Sequence, residues 1–323
     1  MNPEATSALR QDLPPYEPFH YCADRESAWL LQAHSAGDAP VRALRQGTFA
    51  KLLDRPLIKP LCAGGGGVLR NADLRMLARA DCVLDYEALS KPGYAALETI
   101  YDSPWMDFEV TYDIWHNSQW RWAQMSRAGA NLVVQLGFPS EHAALLQRTI
   151  GKMERSKFEC ASHPVRQSGR PTLAWARLDI DAKTNTALIE EVQSDWLRYV
   201  RCYLRELRKS RPRSRVLRNA QAYEAALTAR YDKVWAKALM LQVLMLLRDR
   251  LGIGQVFMHQ PLAGAKLKWI GYTLPPRSLY TALPKSFCFT PTREVPEFLR
   301  IKRRKHLRSL NRHDPLFWKM TFK

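Results

Sequence analysis

The sequence has no Cys-x-x-Cys pair. Its six cysteines (Cys22, Cys62, Cys82, Cys160, Cys202 and Cys288) are scattered, which argues against a disulfide scaffold and against a zinc site with readable spacing. A cytoplasmic setting is the expectation. No apolar run reaches the roughly 20 residues of a membrane span; the most apolar stretch, 234–247, is interrupted by Lys237 and Gln242. The opening segment MNPEATSALRQDLPPYEP has no apolar core, so no secretory leader is expected. No internal repeat stands out. The glycine run at 64–67 is not followed by Gly-Lys-Ser/Thr, so it reads as a connector rather than a phosphate loop.

Acid is scarce as well. Against 49 Lys and Arg stand 31 Asp and Glu, a net charge of +18 over 323 residues. A surplus of that size favours a polyanionic partner through counterion release, with nucleic acid (RNA or DNA) first; an anionic membrane surface and plain solubility are the alternatives. At 46% hydrophobic and 25% charged residues the composition is that of an ordinary globular chain, which excludes a disordered or collagen-like one.

Residues 1–20 are Pro-rich and read as loose. From 24 to about 90, RESAWLLQAH, PVRALRQGTFAKLL and NADLRMLARA carry apolar residues at helical spacing. Trp105, Trp115, Trp120 and Trp122 read as aromatic core, with base stacking as the alternative. From Asn131 the texture changes. NLVVQLGF reads as a buried strand, EHAALLQRTIG as a helix and FECASHPV (158–165) as a strand. TLAWARLDID (172–181) and TALIEEVQSDW (186–196), separated by AKTN, predict an antiparallel hairpin. A basic stretch, 198–218, holds nine Lys or Arg and one acid. A long helix over 220–251, broken near Asp232, is stopped by Gly252 and Gly254. QVFMHQ then reads as a strand, PRSLYTAL as a short helix and KSFCFTP (285–291) as a last strand. The expected organisation is α+β: a helical, Trp-rich region over 1–128, an α/β domain over 129–295 with a basic insertion at 198–218, and a basic tail over 296–323.

Strung together, residues 131–289 read β, α, β, β, β, long α, β, short α, β. That order resembles the GNAT acyltransferase fold, a mixed sheet with a central antiparallel hairpin and a long crossover helix. In that fold strands four and five splay apart and hold the acyl-CoA thioester. Here ALIEEVQSD corresponds to the fourth strand, KVWAKALMLQVLMLLRDRLG to the major helix, QVFMHQ to the fifth strand, and PRSLYTALPKSFCF to the short helix and final strand. A second resemblance joins Arg177 and Asp179, LIEEVQSDW, the tryptophan-led apolar helix and LYTALPK. It is similar to domains of large phage-encoded multidomain polypeptides that carry Glu-Glu-Ile-Gln-Ser-Asp-Trp, and implies a mobile-element or phage-defence context.

The GNAT resemblance implies a transferase. A carboxylate on the fourth strand takes the acceptor's proton. Glu190 and Glu191 are adjacent, so in a regular strand only one faces the cleft; Glu191, sharing a face with Gln193 and Asp195, is the expected catalytic one. Tyr280 resembles the tyrosine that protonates the departing thiolate. Ser194, Trp196, Arg177 and Arg277 are the expected substrate contacts. The chain departs from the family where a glycine-rich turn cradles the CoA pyrophosphate: QSDWLRYVRCYL contains no glycine. Arg198, Arg201 and Arg205 would then take phosphates by their side chains. Further nucleic-acid contacts are expected from Arg208, Lys209, Arg211, Arg213 and Arg215, and in the tail from Lys302, Arg303, Arg304 and Lys305.

Two alternatives stand beside the transferase. Asp179 or Asp181 with Glu191 and Gln193 resembles the Glu-x-Gln variant of the PD-(D/E)xK nucleases, which implies Mg²⁺. The third reading is a non-enzymatic RNA- or DNA-binding module, in which the carboxylates pair with Arg177 and Arg198. His116, His142, His163 and His259 have no metal-ligand spacing and read as surface or helix-start residues; Cys288 reads as a small buried hydrophobe.

Overall fold

A computed structural model describes residues 1–79, 105–116, 124–151, 157–166, 168–270, 274–302 and 314–322. Among them the strands are β1 (Glu17–Cys22), β2 (Ala39–Pro40), β3 (Val68–Leu69), β4 (Trp105–His116), β5 (Ala130–Gly137), β6 (Thr172–Asp181), β7 (Thr186–Gln193), β8 (Gln255–His259), β9 (Thr290–Thr292) and β10 (Phe317–Thr321). The helices are α1 (Pro3–Asp12), α2 (Arg25–His34), α3 (Val41–Leu44), α4 (Lys59–Gly64), α5 (Asn71–Arg79), α6 (His142–Thr149), α7 (Asp195–Ser210), α8 (Arg215–Tyr231), α9 (Trp235–Met245), α10 (Pro261–Leu267), α11 (Leu283–Ser286) and α12 (Glu297–Lys302). Eight strands form one mixed sheet in the order β1-β4-β5-β6-β7-β8-β10-β9, while β2 and β3 pair separately. Only β7 and β8 run parallel; the other neighbours in the sheet are antiparallel.

The hairpin β6–β7 forms where AKTN separates two β-rich runs, because Asn185 takes the left-handed conformation (φ 52°) that closes the turn. Every residue of β5 is buried, as befits a strand covered on both faces. On one face, Leu178, Ala187, Ile189 and Val192 pack with α9, whose apolar residues run round most of its circumference. Gly252, at φ 65°, ends the helical stretch that continues from α9, letting the Ile253 N–H reach the Leu247 carbonyl at 2.8 Å. The opposite face carries a smaller core of Leu188, Phe257, Leu267, Phe298, Leu299 and Phe317, beside a band of buried polar residues.

The structure corrects several expectations. Residues 1–20 are ordered: Asn2 caps α1, and β1 is an edge of the main sheet. FECASHPV forms turns, since Pro164 and the Cys160–His163 hydrogen bond bend the chain. The basic stretch is largely helical, because Trp196, Leu197, Val200, Leu204 and Leu207 of α7 recur at helical spacing and place the arginines on the opposite face. The crossover between β7 and β8 is therefore three helices: α7, formed by the basic stretch, and α8 and α9, which lie on either side of the expected break near Asp232. KSFCFTP contributes α11 and only a three-residue β9. The segment expected to be a tail supplies β10, whose Phe317, Trp318 and Met320 are buried between β8 and β9. The expected boundary near residue 128 falls between two paired strands of the sheet, β4 and β5.

Candidate functional site

The parallel pairing of β7 with β8 covers only Thr186–Ile189 against Gln255–Met258. Beyond Ile189 no pairing with β8 continues. A cleft of about 830 Å³ lies there, with Glu191, Gln193 and Ser194 on the β7 side, Arg198, Arg201 and Arg205 from α7, and Lys268 and Tyr280 among its other lining residues.

A β-bulge sets the chemistry of this region. Arg177 pairs with Glu191 while Leu178 pairs with Ile189, which leaves Glu190 as the extra residue. Regular alternation would send the two glutamates to opposite faces; the bulge lets both find partners on the side that carries Arg177 and Asp179. Glu190 is fully buried and accepts hydrogen bonds from the Ser126 N–H (3.0 Å), the Ser126 hydroxyl (2.8 Å) and His259 Nε2 (3.1 Å). Glu191 pairs with the buried Arg177 and lies 3.7 Å from the Lys268 ammonium. Burial alone would raise the Glu191 pKa, but Lys268 and Arg177 outweigh it and hold the carboxyl below its usual range. A carboxylate so anchored is a poor proton acceptor.

The unpaired edge of β7 is occupied by side chains. Lys268 Nζ donates to the Glu190 carbonyl at 2.8 Å, and the Val192 N–H donates to the Tyr280 hydroxyl at 3.3 Å. Burial, reinforced by the Glu191 charge, raises the Tyr280 pKa strongly, so this hydroxyl stays protonated. Lys268 was not legible as a site residue: it is a single lysine just past a seven-residue helix.

At the start of α7, Ser194 is the N-cap, its hydroxyl accepting from the Leu197 N–H (3.4 Å) and donating to the Leu173 carbonyl (2.6 Å). Because both hydroxyl roles are internal, Ser194→Ala is expected to cost about 1 kcal/mol of stability and to leave ligand affinity unchanged, as read by urea unfolding and by binding titration. Asp195, buried in the first turn, accepts from Trp175 Nε1 (2.9 Å), Arg198 (2.6 Å), Gln193 and His163 Nδ1 (2.9 Å). The helix N-terminus thus already carries its own anion.

The expected residues therefore separate. Glu191, Gln193, Ser194 and Tyr280 line the cleft, with Asp195 directly behind it. Trp196 does not; it is core, its Nε1 on the Tyr223 hydroxyl at 2.8 Å. Arg177 is buried behind Glu191 with its guanidinium 5.1 Å from the Trp115 ring. Arg277 lines a neighbouring cavity of about 450 Å³ rather than the cleft. Arg198, Arg201 and Arg205 line the cleft, whereas Arg208, Lys209, Arg211, Arg213 and Arg215 are exposed around the α7–α8 connection. Lys302 ends α12; Arg303, Arg304 and Lys305 lie outside the described residues, as do Trp120 and Trp122. Of the histidines, His142 begins α6 and is buried against Phe138, whereas His163 and His259 belong to the polar band. Cys288 is buried, as expected.

The donors expected for Mg²⁺ are committed elsewhere. Asp179 is held by Arg127 (2.6 and 2.7 Å) and by the Met1 amino group (2.6 Å), Glu191 by Arg177, and Asp181 accepts from the Lys183 N–H at the hairpin turn. A dication there would have to displace three cationic groups, so this donor set does not fit one. The α7 terminus likewise lacks the glycine-rich turn that would cradle a pyrophosphate with backbone amides, and its first turn holds the buried Asp195 carboxylate. No family model matches the sequence, no curated protein matches it, and no solved structure matches its fold.

Proposed function

We propose that this chain is a nucleic-acid-associated protein on a GNAT-like transferase fold, with a cleft suited to a phosphate-rich ligand rather than to acyl-CoA. The observation that carries this reading is the divergence of β7 from β8 around a cleft walled by cations. The parallel strands and the helical crossover between them correspond to the fourth strand, major helix and fifth strand of that fold. Six lysines and arginines line the cleft (Arg198, Arg201, Arg205, Lys233, Lys237 and Lys268) against two acids, Glu191 and Asp232. Among the described residues Arg205 and Lys233 have no ion-pair partner, so their charge is available to phosphates. In this reading Tyr280 is a protonated hydrogen-bonding group at the free edge of β7, and Glu191 is an anchored anion that positions Lys268.

Fluorescence anisotropy with a single-stranded RNA and the matching DNA tests this. The wild type is expected to bind with log Kd rising linearly with log salt. Arg198→Ala/Arg201→Ala/Arg205→Ala is expected to weaken binding by roughly tenfold or more and to flatten the salt slope by up to about three. Unchanged binding by this triple variant would remove the cleft as the contact surface. A rise in melting temperature with acetyl-CoA would instead restore acyl-CoA as the ligand.

A further inference from the structure

The cleft is continuous with the neighbouring cavity of about 450 Å³: Gln260, Pro261, Leu274 and Pro275 line both. The two spaces differ in chemistry. Cations wall the cleft, whereas the further walls of the cavity are largely aliphatic, with Leu262, Ala263, Pro315 and Leu316 among them. Its size is that of pockets that take small organic groups, roughly 300–1,000 Å³.

The apolar wall reaches solvent. Leu262 is 60% exposed and Leu274 is 52% exposed. With Trp269 they are three of the seven large hydrophobic side chains exposed among the described residues, and all three fall within 262–274. Apolar side chains gathered in this way at a cavity mark a binding surface, which single scattered leucines do not. Polar groups stand among them. Lys266 and Arg277 line the cavity with no ion-pair partner among the described residues, and among the same residues the Gln260 amide and the Thr281 hydroxyl make no side-chain hydrogen bond.

A cationic cleft that opens into an aliphatic cavity repeats the alternation of a nucleotide chain, in which charged phosphates lie beside flat rings with hydrogen-bonding edges. An acyl chain would bury Gln260 and Thr281 against hydrocarbon without partners. A duplex would keep its bases stacked and out of reach.

We propose that this cavity receives an unpaired base of a single-stranded nucleic acid whose phosphates lie on the cleft arginines. Leu262 and Leu274 give the base an apolar seat, and Gln260 and Thr281 supply hydrogen bonds to its edge. The proposal rests on the reading of the cleft as a phosphate site and adds the form of nucleic acid that is bound.

The test is fluorescence anisotropy of the full chain with a short single-stranded DNA, with the same strand made abasic along its centre, and with the intact strand annealed to its complement. The abasic strand keeps the phosphates and loses only bases, so the wild type is expected to bind it about tenfold more weakly. Leu262→Ser/Leu274→Ser, both at exposed positions, is expected to abolish that preference and to leave duplex affinity unchanged; Leu262→Met/Leu274→Met keeps the apolar wall and the preference. Arg198→Ala/Arg201→Ala/Arg205→Ala is expected to weaken the intact and abasic strands alike. Equal binding of intact and abasic strands by the wild type, or a preference that survives the serine variant, would overturn the base site while the arginine result stands. An arginine variant that binds both strands as the wild type does would overturn the phosphate reading and the base site with it.

Discussion

Replacing Glu190 with alanine is expected to destabilise the fold by about 3–5 kcal/mol, among the larger effects of any single change here. The carboxylate is fully buried and is the common acceptor for Ser126 and His259. Its removal leaves three buried donor groups with reduced partners, and the loss is larger than that of one hydrogen bond. Glu190→Gln keeps the shape but presents an amide to donors, so about 2–3 kcal/mol is expected from it. Urea unfolding at pH 7 measures both. An effect below about 1 kcal/mol for alanine would mean that the network contributes little.

The same network has a pH signature. Burial would raise the Glu190 pKa, but the His259 and Ser126 hydrogen bonds and the Lys268 charge outweigh it and hold the carboxyl well below the usual range. A carboxyl with a depressed folded pKa stabilises the protein above the unfolded value, near 4.3, and that contribution disappears as the pH falls through the folded value. His259 is also depressed, chiefly by burial, and stays neutral; among the described residues its Nδ1 has no hydrogen-bond partner. Protonating it favours the unfolded chain, so its contribution shrinks as the pH falls below about 6.5. Both therefore make the wild type less stable in acid. Glu190→Gln should lose its own window below about pH 4.3, which urea midpoints across the acid range read directly.

Trp196→Ala is the second large expectation, at about 3–5 kcal/mol. The indole is fully buried, in edge contact with Phe138 (ring centroids 5.2 Å apart), and its N–H donates to Tyr223. His142 Nε2 meets the same Tyr223 hydroxyl at 2.8 Å while its ring stacks on Phe138 at 3.6 Å, so one deletion loosens two helices against the sheet. Trp196→Phe keeps most of the apolar contact and is expected to cost about 1–2 kcal/mol. Because the indole does not reach the cleft, the folded fraction of either variant should bind RNA as the wild type does. Weaker RNA binding at full stability would return Trp196 to the ligand site.

Trp196 also shows how far the chain could be read without coordinates. The hairpin, the all-round apolar helix and the strand after Gly252 were legible, because period, length and turn residues act locally. What lay beyond local reading was register. A bulge leaves no mark in IEEVQ, yet it decides that Glu190 and Glu191 find partners on the same side. The tryptophan of the same motif looked available to a ligand only because helix α7 was hidden inside a run of arginines. Lys268 and His163 are single residues whose partners, Glu191 and Asp195, lie far away in sequence, and no spacing rule reaches across such gaps. FWKMT was lost among basic neighbours, although its alternating buried residues are those of an ordinary strand.

That strand has a consequence for biosynthesis. β8 is flanked by β7, made before it, and by β10, made well after it. While the ribosome works through the residues between, β8 has one row of backbone donors and acceptors without its final partner, and Phe257 lacks the ring of Phe317 that later stands 6.1 Å away. A nascent chain paused after β9 would present an open, apolar strand edge, the kind of surface that recruits a second strand from another molecule. Completion of the sheet is thus a late event, governed by closure of a long loop rather than by the rapid local hairpin at β6–β7.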